Sequence, residues 1–418
     1  MDDAKLARLL SRLTDQISTI IVGKQSQGKD CVACLQAHRQ GDCLASRTDE
    51  IMRRMRSAPA MSLLALLALS LPITAMAKKH PHAGAAAAHG PRHAPKPKAY
   101  GHRADAMQLA VALAQRHALD PIWVKAQLAQ AKYQPSVARL MMPPPVGVAK
   151  NWAAYRARFI EPDRVRAGAA FWVTHEAWLD AAERRWGVPA ELVVGIIGVE
   201  TFYGRVTGNH RVLDALATLS LDFPKARRDR SEFFRSELGE FLKLARAKNL
   251  PTTEVKGSYA GAIGLGQFMP GSINRYAVDF DADGRVDMGG IGPGAAADVI
   301  GSVANYLAEH GWQRGVPSHF DVKPPSASAD RAALLQPDIL PSFTSAQMVA
   351  LGALLDGQAL SHDGLLALVE LQNGDAAPSH IASTQNFYAV TRYNHSAYYA
   401  LAVIELGRAV AATRSPTR

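Results

Sequence analysis

Cysteine is scarce: of 418 residues only three are cysteine, Cys31, Cys34 and Cys43. Past Cys43 a disulfide framework is therefore excluded, and the rest of the chain must be held by a hydrophobic core, which this length can supply. No cysteine follows the apolar run near the N-terminus, so the lipid-attachment signature of bacterial lipoproteins is absent. No apolar stretch reaches the roughly 20 residues of a transmembrane helix. Acidic residues are outnumbered, 37 Asp and Glu against 47 Lys and Arg, a surplus of +10. That surplus asks for an anionic partner, for which peptidoglycan, nucleic acid and phospholipid all qualify. Strand-like alternation is rare, and no repeat of solenoid length is present. What is there is ordinary for folded protein, 48% hydrophobic and 20% charged, enough for two or three packed units.

Arg53, Arg54 and Arg56 precede an apolar run from Met61 to Ile73 that ends in Thr74-Ala75-Met76-Ala77. This is the layout of a secretory signal peptide, and it predicts a Sec-type leader over residues 52–77, cleavage after Ala77 and a periplasmic protein beginning at Lys78. Residues 1–51 then read as an extension ahead of a true start at Met52. Their Cys31-x2-Cys34-x3-His38-x4-Cys43 pattern is one residue short of a zinc knuckle and is read as having no role. Residues 78–104 are Ala, Pro, Lys and His with almost no large apolar side chain, including His80, His82, His89, His93 and His102. They read as a flexible basic linker whose charge holds the protein near anionic wall or lipid.

From residue 105 apolar residues return at helical spacing, at Met107, Leu109, Ala110 and Leu113, across Ile122 to Leu128, and from Ala167 to Leu179. Pro143-Pro144-Pro145, Pro162 and Pro189 cut the pattern into segments. The C-terminal part also reads as helices, over Ser345 to Leu355, Asp363 to Leu371 and Ser396 to Ala412, around a loop that holds Asn386 to Asn394. The expected fold class is mainly α, with a tail at 411–418.

Pro189 suits the first turn of a helix, and Glu191 to Val199 is apolar except at its start, so a buried helix is expected to carry Glu200 near its C-terminal end. Val193 and Ile197 share a face with Glu200. Desolvation and the negative end of the helix dipole both raise a carboxyl pKa, which favours a protonated Glu200 near neutral pH. Such a group can act as a general acid toward a glycosidic oxygen. Taken alone, the same pattern also fits an inert glutamate hydrogen-bonded at a helix end.

The stretch Val194-Gly-Ile-Ile-Gly-Val-Glu200-Thr-Phe-Tyr-Gly-Arg205 resembles the catalytic signature of the membrane-bound lytic murein transglycosylase B family. The likeness continues through Arg211 to Leu219, Lys256 to Pro270, Tyr276 to Phe280, Gly301 to Tyr306, and Asn386 to His395, in family order over residues 105–410. It implies a lysozyme-like helical core with additional flanking helical regions. It implies a lyase in which Glu200 alone protonates the bond between N-acetylmuramic acid and N-acetylglucosamine, then takes the proton of the muramoyl C6 hydroxyl as a 1,6-anhydro ring closes. Other glycosidases need a second carboxylate; an internal hydroxyl removes that need by proximity. Asp214, Asp222, Glu237 and Glu240 are therefore expected to have structural duties.

The glycines between Gly257 and Gly271 indicate close backbone approach, and no Gly-Lys-Ser/Thr ending makes the stretch a nucleotide loop. By resemblance, Ser258, Gln267, Tyr306, Tyr393, Asn394 and Tyr399 line the sugar subsites, and Arg227 and Arg228 approach substrate carboxylates. Core packing is the competing role for each tyrosine. The expected partner is the peptidoglycan glycan strand, with no nucleic acid, and the expected state is a monomer.

Asp279-Phe-Asp281-Ala-Asp283-Gly284-Arg285-Val-Asp287 places oxygen ligands as the first half of an EF-hand-like loop does. Arg285 contributes a backbone carbonyl and, by resemblance, Asp298 closes the set. The expectation is a structural Ca2+, with no cofactor for catalysis. A muramidase using water as acceptor is the alternative enzyme, and a noncatalytic wall-binding scaffold the alternative from another class.

Overall fold

The helical spacing that begins near residue 105 is realised as fifteen α-helices among the described residues. The computed structural model describes residues 98–142, 150–225, 228–288 and 295–414. The upstream extension, the leader, most of the linker, the Pro143 to Pro145 break, Arg227 and the last four residues lie outside them.

The chain opens with α1 (Ala104–Arg116), α2 (Pro121–Ala129) and α3 (Pro135–Leu140), followed by α4 (Trp152–Ala157) and the long α5 (Pro162–Trp186). Proline occupies the first turn of α2, α3 and α5, where its missing N–H costs nothing. Gly187, at φ +69°, ends α5 in the left-handed conformation that suits glycine. Next come α6 (Ala190–Thr201), β1 (His210–Arg211), α7 (Val212–Leu221), α8 (Ser231–Ala247), β2 (Lys256–Gly257), α9 (Pro270–Tyr276) and α10 (Ala295–Glu309). The remainder is β3 (His319–Lys323), α11 (Ser328–Leu335), α12 (Ser345–Ala350), β4 (Leu354–Leu355), α13 (Gly357–Leu360), β5 (Ala367–Asn373), β6 (Ala376–Ser383), α14 (Gln385–Asn394) and α15 (Ala397–Ala412).

Helix α6 is the hub. It is apolar all round rather than on one stripe, so it is stable only when enclosed. Every side chain from Leu192 to Thr201 is buried, with α5, α10 and α15 packed around them. Two glycines set how close α15 comes. A methyl group on Gly195 would stand 2.3 Å from the carbonyl oxygen of Val403, and one on Gly407 would stand 2.2 Å from that of Glu191. The helices thus meet backbone to backbone, and the residues one turn beyond that crossing are brought together.

The region between α10 and α14 differs from the expected helices. Residues Asp363 to Leu371 do not form a helix: β5 covers most of them, and an antiparallel sheet runs in the order β4-β3-β6-β5. Ala367, Leu368, Val369 and Leu371 are a short apolar run that fits either element. The turn decides, because Asn373-Gly374-Asp375 joins β5 to β6 with Gly374 at φ +65°, a hairpin geometry a helix cannot supply. The helix expected over Ser345 to Leu355 stops at Ala350, and Leu354 joins the sheet. One flanking region is therefore α/β, with its own apolar centre of Phe320, Leu334, Met348, Leu366, Leu368 and Ala382. The loop expected over Asn386 to Asn394 is helix α14. Thr384 caps it by accepting the amide of Asn386, and the Asn386 side chain donates to the carbonyls of Gln313 and Val316, both at 2.7 Å.

Candidate active site

Glu200 sits in the last turn of α6 and is 7% exposed. Immediately after the helix Phe202, Tyr203 and Gly204 all take positive φ, at +53°, +56° and +90°. This tight left-handed turn is held by Thr201, whose hydroxyl donates to the Leu265 carbonyl at 2.9 Å and accepts the Gly204 amide at 3.1 Å. The Arg164 guanidinium supports the same corner, donating to the Gly198 carbonyl at 3.1 Å and lying 4.5 Å from the Phe202 ring centre. The helix end is thereby fixed, and with it the carboxyl.

The hydroxyl of Tyr399, from the first turn of α15, donates to Oε1 of Glu200 at 2.5 Å. Burial pushes the Glu200 pKa up to about 7, against the smaller lowering effect of the Tyr399 hydrogen bond. At neutral pH the group is close to half protonated. Burial and the nearby Glu200 carboxyl together push the Tyr399 and Tyr393 phenols well above their ordinary value, so both remain neutral donors.

Around this pair the fold assembles an aromatic group from three separate elements. Tyr393 stacks on Tyr399 with ring centres 6.2 Å apart, and Tyr306 meets Tyr393 edge-on at 5.0 Å. Their hydroxyls are committed, Tyr393 donating to the Gly266 carbonyl at 2.5 Å and Tyr306 to that of Arg392 at 2.8 Å. Gln267 is brought to the same place at φ +49°, its side-chain amide donating to the carbonyls of Thr207 and Gly264. The Ser258 hydroxyl accepts the Ala262 amide at 3.0 Å and closes the glycine-rich turn, which β2 pins to β1. Gly257 is needed there, since a methyl group would lie 2.1 Å from the Ala262 carbonyl. Asn394 ends α14, half-buried.

For the two anticipated arginines there is no contact with this group among the described residues. Arg227 lies outside the described residues, and Arg228 is exposed. The pKa of His395, two residues past Tyr393, is lowered by burial first, then by the charges of Arg392 and Arg230. Tyr155 escaped the sequence reading. Its phenol is pushed up to about 12 by burial and by the Glu200 charge, and nothing in the α4 sequence signals that proximity.

The other carboxylates have structural partners. Asp214 accepts the Lys132 amide, Asp222 pairs with Arg103, Glu237 accepts the Gly271 amide and Glu240 holds Asn274. Among the described residues none of them contributes to the ionisation of Glu200.

In the acidic loop, side-chain oxygens of Asp279, Asp281 and Asp283 lie within 4.8 Å of one another. Asp298 is not in that group. It is buried behind the loop and accepts the amides of Phe280 at 2.6 Å and Asp287 at 2.7 Å, so it shapes the turn. The Arg285 amide donates to Asp283 at 2.8 Å. Among the described residues, no helix is long and apolar enough to cross a membrane.

The family described as Transglycosylase SLT domain matches residues 102–408, most of the chain. The chain belongs to this lytic transglycosylase family. Membrane-bound lytic murein transglycosylase B of Escherichia coli (strain K12) is 40% identical over 323 residues, covering 75% of this chain and 85% of that relative. The crystal structure of soluble lytic transglycosylase SltB1 from Pseudomonas aeruginosa superposes with a TM-score of 0.66 at 36% identity, covering 74% of this chain and 99% of that one. The Escherichia coli lytic transglycosylase Slt35 in complex with calcium does so with a TM-score of 0.63 at 38% identity, covering 78% and 99%. The enzyme is accordingly a lytic transglycosylase that cleaves peptidoglycan, on a mainly helical, lysozyme-like fold.

Proposed function

We propose that Glu200 is the single general acid and base of this transglycosylase. The observation that carries the proposal is a buried carboxyl pushed up to about 7 and held by a neutral phenol at 2.5 Å. Protonated Glu200 donates to the oxygen linking N-acetylmuramic acid to N-acetylglucosamine as that bond breaks. The resulting carboxylate takes the proton from the muramoyl C6 hydroxyl while O6 bonds to C1. One proton enters and one returns, no water is consumed, and the product is a 1,6-anhydro end. The structural engagement of the other carboxylates favours this one-carboxylate route. Tyr306, Tyr393, Tyr399, Gln267, Ser258 and Asn394 line the sugar subsites in this reading, with Arg227 and Arg228 toward substrate carboxylates.

Calcium fits the acidic loop as a structural ion. Asp279, Asp281, Asp283 and the Arg285 carbonyl would hold it, with Asp298 bracing the turn, and the ion would supply no chemistry. The leader over residues 52–77, cleavage after Ala77, a periplasmic monomer and wall or lipid contact through 78–104 complete the proposal. The first is checked by the mass of the exported protein, which should begin at Lys78.

Mass spectrometry of muropeptides released from purified sacculi tests the central claim, with Glu200→Gln in parallel. Anhydro products formed by the unmodified protein alone are expected. Reducing-end products would instead indicate a muramidase, and no release by a folded protein would indicate a wall-binding scaffold.

A further inference from the structure

We propose that a second pocket, built on Trp123, is a noncatalytic binding site for a muramoyl unit of the glycan strand. This rests on peptidoglycan as the substrate and adds a further grip on the same polymer. The pocket, of about 290 Å³, lies between α2 and the turn that follows α8. Trp123, Gln127, Arg246, Asn249 and Leu250 line it, and none of them belongs to the group around Glu200.

Its chemistry is that of a sugar site. Trp123 is half-buried and shares the pocket wall with Ala245, Leu250 and Pro251, so an aromatic wall is presented among apolar neighbours. An indole offers an apolar face to the C–H side of a pyranose ring and a polar edge to its hydroxyls. Gln127 is oriented by Thr252, whose hydroxyl donates to Gln127 Oε1 at 2.7 Å. That bond leaves the Gln127 amide donors without a partner among the described residues. Asn249 is exposed on a left-handed turn at φ +51°, its side-chain amide likewise uncommitted there. Two amides thus stand ready for hydroxyl and acetamido groups.

Arg246 gives the site its charge. Its guanidinium carbon lies 5.6 Å from the Trp123 ring centre, and no carboxylate pairs with it among the described residues. Lys243 and Lys248 flank it in sequence, so this end of α8 is positive. A guanidinium held over an aromatic ring and lacking a counter-ion suits a carboxylate. A plain N-acetylglucosamine has none; a muramoyl residue has a lactyl carboxylate, or the carboxylates of its stem peptide. Helix α8 separates the two ends, running about 24 Å from Arg230 at its start, one of the charges that bear on His395, to Arg246. A long strand held at both ends dissociates less readily because rebinding of either end is intramolecular.

Glu200→Gln protein, labelled with ¹⁵N, is titrated with an N-acetylglucosamine trimer, a peptide-free GlcNAc-MurNAc disaccharide, and that disaccharide bearing its pentapeptide. The Trp123 indole N–H is identified by its loss in Trp123→Phe, and the Gly266 amide reports the cleft. We expect saturable movement of the Trp123 signal, with the MurNAc probes binding about ten-fold more tightly than the trimer, a difference that Arg246→Ala removes. A further gain with the pentapeptide assigns the anion to the stem peptide, and its absence assigns it to the lactyl group. Movement at Gly266 with none at Trp123 would overturn the site and leave the substrate reading standing. No movement at either would overturn both.

Discussion

Tyr399 donates its hydroxyl proton to Oε1 of Glu200 at 2.5 Å, about one turn from the point where Gly195 of α6 meets Val403 of α15. The contact joins residues almost two hundred positions apart. It works against burial: burial raises the Glu200 pKa, and the hydrogen bond stabilises the carboxylate and lowers it, for a net value of about 7.

Activity that requires protonated Glu200 should therefore decline as pH rises through about 7. In Tyr399→Phe the lowering contribution is lost, and the alkaline limb should move upward by about one to two pH units. Profiles of kcat/KM against pH on soluble glycan strands measure this. An unmoved limb would mean that the phenol does not govern the carboxyl.

The same raised pKa costs stability. The unfolded carboxyl ionises near its ordinary value, 4.5, while the folded one holds its proton to about 7. Between those values the native state binds more protons than the unfolded state, so stability falls as pH rises and then levels off. Glu200→Gln should be equally stable at pH 4 but more stable than the parent at pH 8, by up to about 3 kcal/mol. Denaturant unfolding at the two pH values gives the comparison, and a deficit of the variant at pH 8 would contradict it.

Gly195→Ala and Gly407→Ala should each destabilise the fold by roughly 2–4 kcal/mol, because the added methyl meets a carbonyl oxygen on the facing helix at about 2.3 Å and 2.2 Å. Thermal unfolding should register this as a loss of several degrees. Activity should fall too, since separating α15 from α6 withdraws Tyr399. A variant with parental Tm would show that the crossing can relax freely.

Calcium at a hundred times its dissociation constant should add about 2.7 kcal/mol to stability by linkage. Calorimetry with calcium and with chelator reads the shift. Asp281→Asn should abolish it while folded enzyme at low temperature keeps its turnover, as expected of an ion that stabilises without reacting. Equal Tm in calcium and chelator would remove the ion from the account.

Local signals in the chain carried the helical character of α1, α2, α5 and α6, because spacing at 3.6 residues and proline at a first turn act within one segment. They also placed Glu200 at the end of a buried helix, while its role as an acid was legible only through the family resemblance of the flanking residues. The strand β5 was not read because Ala367 to Leu371 suits either period, and the Asn373-Gly374 turn resolves it only with a partner strand present. Helix α14 was missed for a related reason: the polar side chain of Asn386 is satisfied by the carbonyls of Gln313 and Val316, which only the fold brings near. The sequence by itself determined most of the helices, the buried carboxyl at the end of α6 and the acidic loop. Tertiary structure decided the state of that carboxyl, because desolvation and the Tyr399 hydrogen bond depend on groups far along the chain that meet only when α15 closes on α6.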